Sequence, residues 1–139
     1  PATPTAPEGS ISGNATFGVL VAQGTGNRIS GNLVGLDSLG AGPLPNRDGI
    51  VVTSAASDTI AGGTAPGSGN VISGNTGYGI DAAAGIVIGN HIGVSESGTR
   101  PIANGSAGVH ASGPPAPSPG ASTDSSARPA IASPALPGR

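Results

Sequence analysis

Apolar residues in this chain come in short bursts that never settle into a helical stripe. Eight bursts stand out: "FGVLVA" (17–22), "RISGNLVG" (28–35), "DGIVVT" (48–53), "DTIAGG" (58–63), "NVISGN" (70–75), "YGIDA" (78–82), "IVIGNHIG" (86–93) and "AGVHA" (107–111). Each alternates or is β-branched over three to six positions and is closed by Gly, Asn, Asp or Ser. That pattern predicts short strands joined by turns. No apolar period of 3.6 persists long enough for a helix.

The bursts also repeat. "ISGN" occurs at Ile11–Asn14, Ile29–Asn32 and Ile72–Asn75, with variants at Ile60–Gly63 and Val87–Asn90. Residues 28–46 align with 86–104 at a constant shift of 58. Gly31, Asn32, Gly35, Gly40, Pro43 and Asn46 meet the same residue types at Gly89, Asn90, Gly93, Gly98, Pro101 and Asn104. Strands this short and glycine-rich would be weak in a sandwich, but they suit a solenoid whose backbone groups pair along its axis. The aliphatic of each phrase then fills a narrow core, and glycine turns the corner at positive φ. Asparagine tolerates the same corner and can stack on its counterparts as a hydrogen-bonded ladder. Asn14, Asn32, Asn75 and Asn90 are the expected ladder positions.

Composition narrows the rest. Of 139 residues, 26 are Gly and 14 Pro, and aromatics number one Phe and one Tyr, so any core is built from Ile, Val, Leu and Ala. Net charge is −2 with no lysine, which argues against a nucleic-acid partner because phosphate binding needs clustered cations. Without cysteine there is neither disulfide nor thiolate metal site. No apolar run approaches a membrane span. Residues 1–8 read as a linker or frayed terminus, and residues 113–139, rich in Pro, Ala and Ser, as a low-complexity tail too polar to offset its ordering entropy. The absence of methionine favours a piece of a longer protein.

The phrases "GNVISGN", "IAGGTAPGSGN", "GNLVGLDSLGAGPLPN" and "GNHIGVSESGTRPIAN" resemble the right-handed parallel β-helix repeats, pectate-lyase-like in fold, of large bacterial secreted or surface proteins. The resemblance covers roughly residues 9–112. It implies an all-β solenoid and an extracellular or cell-surface setting, but no reaction. The family's Thr-Asp is Leu36–Asp37 in one copy and Val94–Ser95 in the other, so an acid there is not a requirement. The second copy stops at Gly113–Pro114–Pro115. About five coils of ~20 residues are expected, ~20–25 Å long at ~4.8 Å per rung.

Candidate chemistry is sparse. Asp37, Asp48, Asp58, Asp81 and Glu96 are the acids of the repeat region. Asp37 and Glu96 form the nearest approach to a pair, since Glu96 aligns with Ser38; they are expected several coils apart, too far to share a substrate bond. Arg47–Asp48 suggests a polar corner. Gly77, Gly79 and Asp81 form a lone Gly-x-Gly-x-Asp phrase, short of the stacked copies calcium requires. His91 replaces Leu33 at the 58-residue shift and is expected to face the coil interior. Phe17 and Tyr78 each follow an ISGN phrase by three residues, so they are equivalent positions about three coils apart, either plugging the coil or stacking on a sugar. Asn14-Ala15-Thr16 and Asn104-Gly105-Ser106 are glycosylation sequons. No catalytic residue, metal or cofactor is expected. The expected function is a non-catalytic structural or adhesive repeat segment of an extracellular bacterial protein, with a polysaccharide or another cell-surface protein as partner. The alternative is a fragment of a carbohydrate-active β-helix enzyme, lyase or hydrolase.

Overall fold

The computed structural model describes residues 9–113. The expected linker (1–8) and the tail beyond Gly113 lie outside the described residues. Thirteen strands follow in order: β1 Gly9–Ile11, β2 Phe17–Val21, β3 Gly24–Thr25, β4 Arg28–Ile29, β5 Asn32–Val34, β6 Asp48–Val52, β7 Ala56–Ser57, β8 Ile60–Gly62, β9 Val71–Ile72, β10 Tyr78–Ala82, β11 Ile86–Ile88, β12 His91–Ile92 and β13 Ala107–Ala111. Every predicted burst holds at least one of them. β1, β3 and β7 were not predicted, being too short or too polar to register as bursts.

Every pairing between strands is parallel. The first sheet runs β1-β5-β9-β12, the second β2-β6-β10-β13, the third β4-β8-β11, and β3 pairs β7. The chain is therefore an all-β parallel solenoid. Its rungs are residues 9–31, 32–70, 71–90 and 91–113, which make about three turns rather than the expected five. On the second sheet Val19 pairs with Ile50, Ile50 with Ile80 and Ile80 with Val109, a step of about 30 residues per turn. The 58-residue repeat is thus two turns, and at ~4.8 Å per rung the stack spans ~14 Å, shorter than expected. Excursions that leave the coil lengthen two of the rungs, which is why a ~20-residue coil was too small an estimate.

The interior is filled by Ile29, Val34, Ile50, Val52, Ala56, Ile72 and Ile80, with Val19, Val21, Ala82, Val87 and Ile92 packed against them. β-branched residues suit these positions because each sits over its like in the next rung. A second cluster, Leu33, Leu36, Val71 and Ile102, lies on the outer face of the first sheet. Two excursions cover it: Gly35 to Leu44 and Gly93 to Ile102, each closed by a back-bond (Leu44 N–H to Gly35 O, Ile102 N–H to Gly93 O, both 2.8 Å). Each carries the same antiparallel bridge, Leu36 with Pro43 and Val94 with Pro101. The rungs at Ile11–Asn14 and Ile72–Asn75 turn the same corner with no excursion. Short and long corners therefore alternate up the stack.

Candidate functional site

Two polar spines hold the corners. At the corner between the first and second sheets, Nδ2 of Asn14 donates to Oδ1 of Asn46 (2.9 Å), Asn46 to Asn75 (3.1 Å) and Asn75 to Asn104 (2.9 Å). The backbone N–H of each upper residue donates to the same Oδ1. At the corner between the third and first sheets, Asn32 donates to Asn70 (3.3 Å) and Asn70 to Asn90 (2.9 Å). A buried amide is tolerated only with its bonds made. Here one Oδ1 satisfies both a side chain and an N–H that the corner takes out of the sheet. Asn14 and Asn75 thus belong to one ladder, Asn32 and Asn90 to the other.

Asn46, Asn70 and Asn104 complete the ladders and were not predicted as members. Excursions separate Asn46 and Asn104 from their glycines, and the loop at 63–69 separates Asn70 from Gly62–Gly63, so the short phrase is broken in sequence but closed in space. The 58-residue alignment had already paired Asn46 with Asn104, and that was the available signal.

The outer face of the second sheet gathers most of the predicted contact residues. Phe17 pairs with Asp48, and Tyr78 follows in the same column, two turns from Phe17 rather than three. Asp48 is buried: its Oδ2 accepts from Arg47 Nε (3.0 Å) and Nη2 (2.8 Å), and its Oδ1 from the Tyr78 N–H (2.8 Å). The Arg47 guanidinium lies 5.5 Å from the Phe17 ring centroid, within the range where the ring quadrupole attracts a cation. On the next rung Tyr78 and His110 stack, centroids 4.5 Å apart and planes 8° from parallel. His110 Nδ1 lies 3.0 Å from Asp81 Oδ1. Leu20, 49 % exposed, and the half-buried Val51 extend the face. The face therefore carries a stacked Tyr78–His110 pair and, two rungs from Tyr78, Phe17 beside Arg47, with the buried Asp48 between Phe17 and Tyr78.

Asp37 and Glu96 lie elsewhere, on the two excursions. These stand two turns apart, yet they touch, because the rung between them turns without one: Glu96 N–H donates to Gly40 O (2.8 Å), and Arg100 Nη1 to Ala41 O (2.9 Å). The expected wide separation is corrected to that extent. Asp37 has structural employment, its Oδ1 accepting from the N–H groups of Leu39 (3.1 Å) and Ala41 (3.0 Å). Its carboxyl is held below the ordinary value by the Ala41 N–H foremost; partial desolvation opposes, and Gly42, Leu39 and Gly40 add to the lowering. In the other excursion hydroxyls do this work, Ser95 Oγ accepting from the Arg100 N–H and reaching Ser97.

His91 does not face the coil interior. Its column, Leu33, Val71, His91, is the outward one, and Leu33 and Val71 are buried only because the excursions cover them. His91 is exposed and lines, with Asn32, Thr64, Gly67 and Glu96, an open cleft of about 480 Å³. Gly77 gives its N–H to Arg47 O (2.6 Å), so the Gly-x-Gly-x-Asp phrase serves the stacking of rungs. Asp58, at φ 51°, accepts from Thr25 Oγ1 (3.2 Å). Among the described residues no three His, Asp or Glu side chains group as a metal site would require, and no helix is long and apolar enough to cross a membrane. Comparison with protein-family models, curated proteins and solved structures finds no match to this chain.

Proposed function

We propose that this chain is a non-catalytic repeat segment of an extracellular bacterial protein, a stiff spacer whose second sheet offers a ring-lined face to a polysaccharide. The observation that supports it is the engagement of the aspartates. All four aspartates of residues 9–113 are bonded within the fold: Asp37 to its own turn, Asp48 to Arg47 and Tyr78, Asp58 to Thr25 and Asp81 to His110. A glycosidase needs two carboxyl groups facing one bond, ~5–10 Å apart and free to move protons. Asp48 and Asp81 share a face, on the order of 10 Å apart along neighbouring strands, but each is held by bonds within the fold, Asp48 to Arg47 and Tyr78 and Asp81 to His110. The resemblance of the repeats to pectate-lyase-like surface proteins supports the extracellular setting. Flat rings of Phe17 and Tyr78 are the chemistry that packs on a sugar ring, and Nη1 of Arg47, which the Asp48 pairing leaves over, is a donor for an acidic one.

The test incubates the full chain with acidic and neutral polysaccharides. Tyr78 is the only tyrosine and there is no tryptophan, so its fluorescence reports the face directly. The expected result is a saturable change in that emission with no new reducing ends or unsaturated products. Accumulating product would favour the enzyme fragment. Retention on a cell-surface protein with no response to polysaccharide would reassign the partner. No response to either would remove the binding role and leave the spacer.

A further inference from the structure

Among the described residues one carboxylate and one imidazole are left without a partner, and one cleft holds both. The ion pairs of these residues are Arg47 with Asp48 and His110 with Asp81. The four aspartates are engaged within the fold. Glu96 and His91 remain. Both are exposed, and both line the open cleft of about 480 Å³ over the first sheet. That volume lies in the range of small-molecule sites, roughly 300–1,000 Å³.

The cleft is built from fixed parts. One wall is the loop 63–69, where Ser68 gives its N–H (3.0 Å) and its Oγ (2.6 Å) to Ala65 O. The Gly31 N–H donates to Ser68 O (3.1 Å) and ties this loop to the rung before it. The opposite wall is the second excursion, where the Glu96 N–H donates to Gly40 O (2.8 Å). Gly40 is buried at φ +65°, and a Cβ there would run into the Cβ of Glu96, so a glycine is what lets Glu96 sit where it does. On the floor His91 pairs with Val71 in the first sheet, its N–H bonded to Asn70 O (2.8 Å). Walls held before a ligand arrives lower the cost of binding one.

The chemistry of the lining selects the ligand. No arginine lines the cleft, and Arg28 lies on a separate groove over the third sheet, with Ile60 and Ile86. Glu96 therefore sets an uncompensated negative charge, which repels an anion. Five glycines, at 31, 63, 67, 69 and 89, leave room beside it and bring no side chain to compete for it. An ionised carboxylate only accepts hydrogen bonds, and a neutral imidazole has one accepting nitrogen. A primary ammonium has three donors and no acceptor, and its bond to a carboxylate is of the stronger, charge-assisted kind.

We propose that this cleft binds a primary amine in its ammonium form, with Glu96 as the charge partner and the accepting nitrogen of His91 as the second contact. The site lies on the first sheet and does not rest on the ring-lined face of the second. Its test follows amide NMR spectra of the full chain at about pH 7, above the ordinary imidazole value of ~6.5. The probes are glucosamine, which carries the charged amine, and glucose and N-acetylglucosamine, which keep the ring without it. Glucosamine alone should move the resonances of 63–69, His91 and Glu96, and saturably. Glu96→Gln should weaken binding by about tenfold or more, as loss of a bond to a charged group does, and His91→Ala by about two- to tenfold. Asp58→Asn removes an equal charge from another corner and should leave the affinity unchanged. On the unaltered chain ethanolamine should move the same resonances and glycerol should not, and this arm decides if a variant fails to fold. Tyr78 emission should stay constant throughout, so this result and the polysaccharide result can fail separately. Equal shifts with glucose or N-acetylglucosamine, a response to glycerol, wild-type binding by Glu96→Gln, or equal losses in Glu96→Gln and Asp58→Asn would overturn the proposal.

Discussion

Asn46 lies directly over Asn75, giving it two hydrogen bonds, from Nδ2 at 3.1 Å and from the backbone N at 3.2 Å, with both residues 1 % exposed. Replacing Asn75 by Ala removes the acceptor of both and the donor to Asn104, leaving a buried N–H unpaired. One such orphan costs about 1–3 kcal/mol. Asn75→Ala is therefore expected to cost about 3 kcal/mol in urea unfolding. Asn14→Ala, exposed at the end of the ladder, should cost less than half as much. Equal losses would mean that the ladder stabilises no more inside the stack than at its edge.

Glycine serves two separable needs here. Gly49 has no positive φ, but a Cβ there would run into Gly79 O, the Ile72 side chain and Asn75. Gly98 has φ +76° and open space. Gly49→Ala should exceed the ~1–3 kcal/mol typical of overpacking, while Gly98→Ala should lose only the ~1 kcal/mol of left-handed strain. Thermal melts of the two variants check the order.

Leu36, fully buried under its excursion, joins Leu33, Val71 and Ile102 outside the coil. Leu36→Ala should cost about 2–5 kcal/mol, as deletions in a closed core do. Hydrogen exchange should show protection lost first in the two excursions. Loss spread evenly through the second sheet would instead make the outer cluster part of one cooperative core.

Asp37 makes one excursion acid-sensitive. Its carboxyl is depressed by the Ala41 N–H foremost, so its contribution is fully present above the ordinary carboxylate value and is lost as pH falls through the lower folded value. Amide resonances of 37–42 should move on acidification below the ordinary carboxylate range. Those of Ile86–Ile88, on the third sheet away from both excursions, should stay still over the same interval. Asp37→Asn should abolish the difference.

Tyr78 and His110 tie the last rung to its neighbour by a stack and the Asp81 contact. Such ring pairs contribute about 0.5–1.5 kcal/mol beyond burial. His110→Ala is expected to raise hydrogen exchange in Ala107–Ala111 and to change Tyr78 emission, leaving Phe17–Val21 unaffected.

Much of this was legible in one chain, because local and tertiary demands coincide at the bursts. A residue such as Ile80 has to be β-branched, flanked by turn formers and in step with Ile50, and all three requirements leave marks in sequence. The outer cluster left none. Leu33 has the pattern of an interior residue and is buried, but by an excursion rather than by the coil, so its twin His91 was assigned the wrong side. Asp37 and Glu96 were assigned too great a separation because alignment counts rungs along the axis. Two excursions meeting across a rung that lacks one can only be seen in space.

The sequence by itself determined a parallel β solenoid, its strands and its repeat, since hydrophobic period and glycine-asparagine corners are local and recur at a constant shift. Only the tertiary structure decided the number of turns, the membership of the ladders and the gathering of Phe17, Asp48 and Tyr78 on one face. Those depend on how many residues each turn consumes, and the excursions, which leave the coil and return to it, hide that length from any reading along the chain.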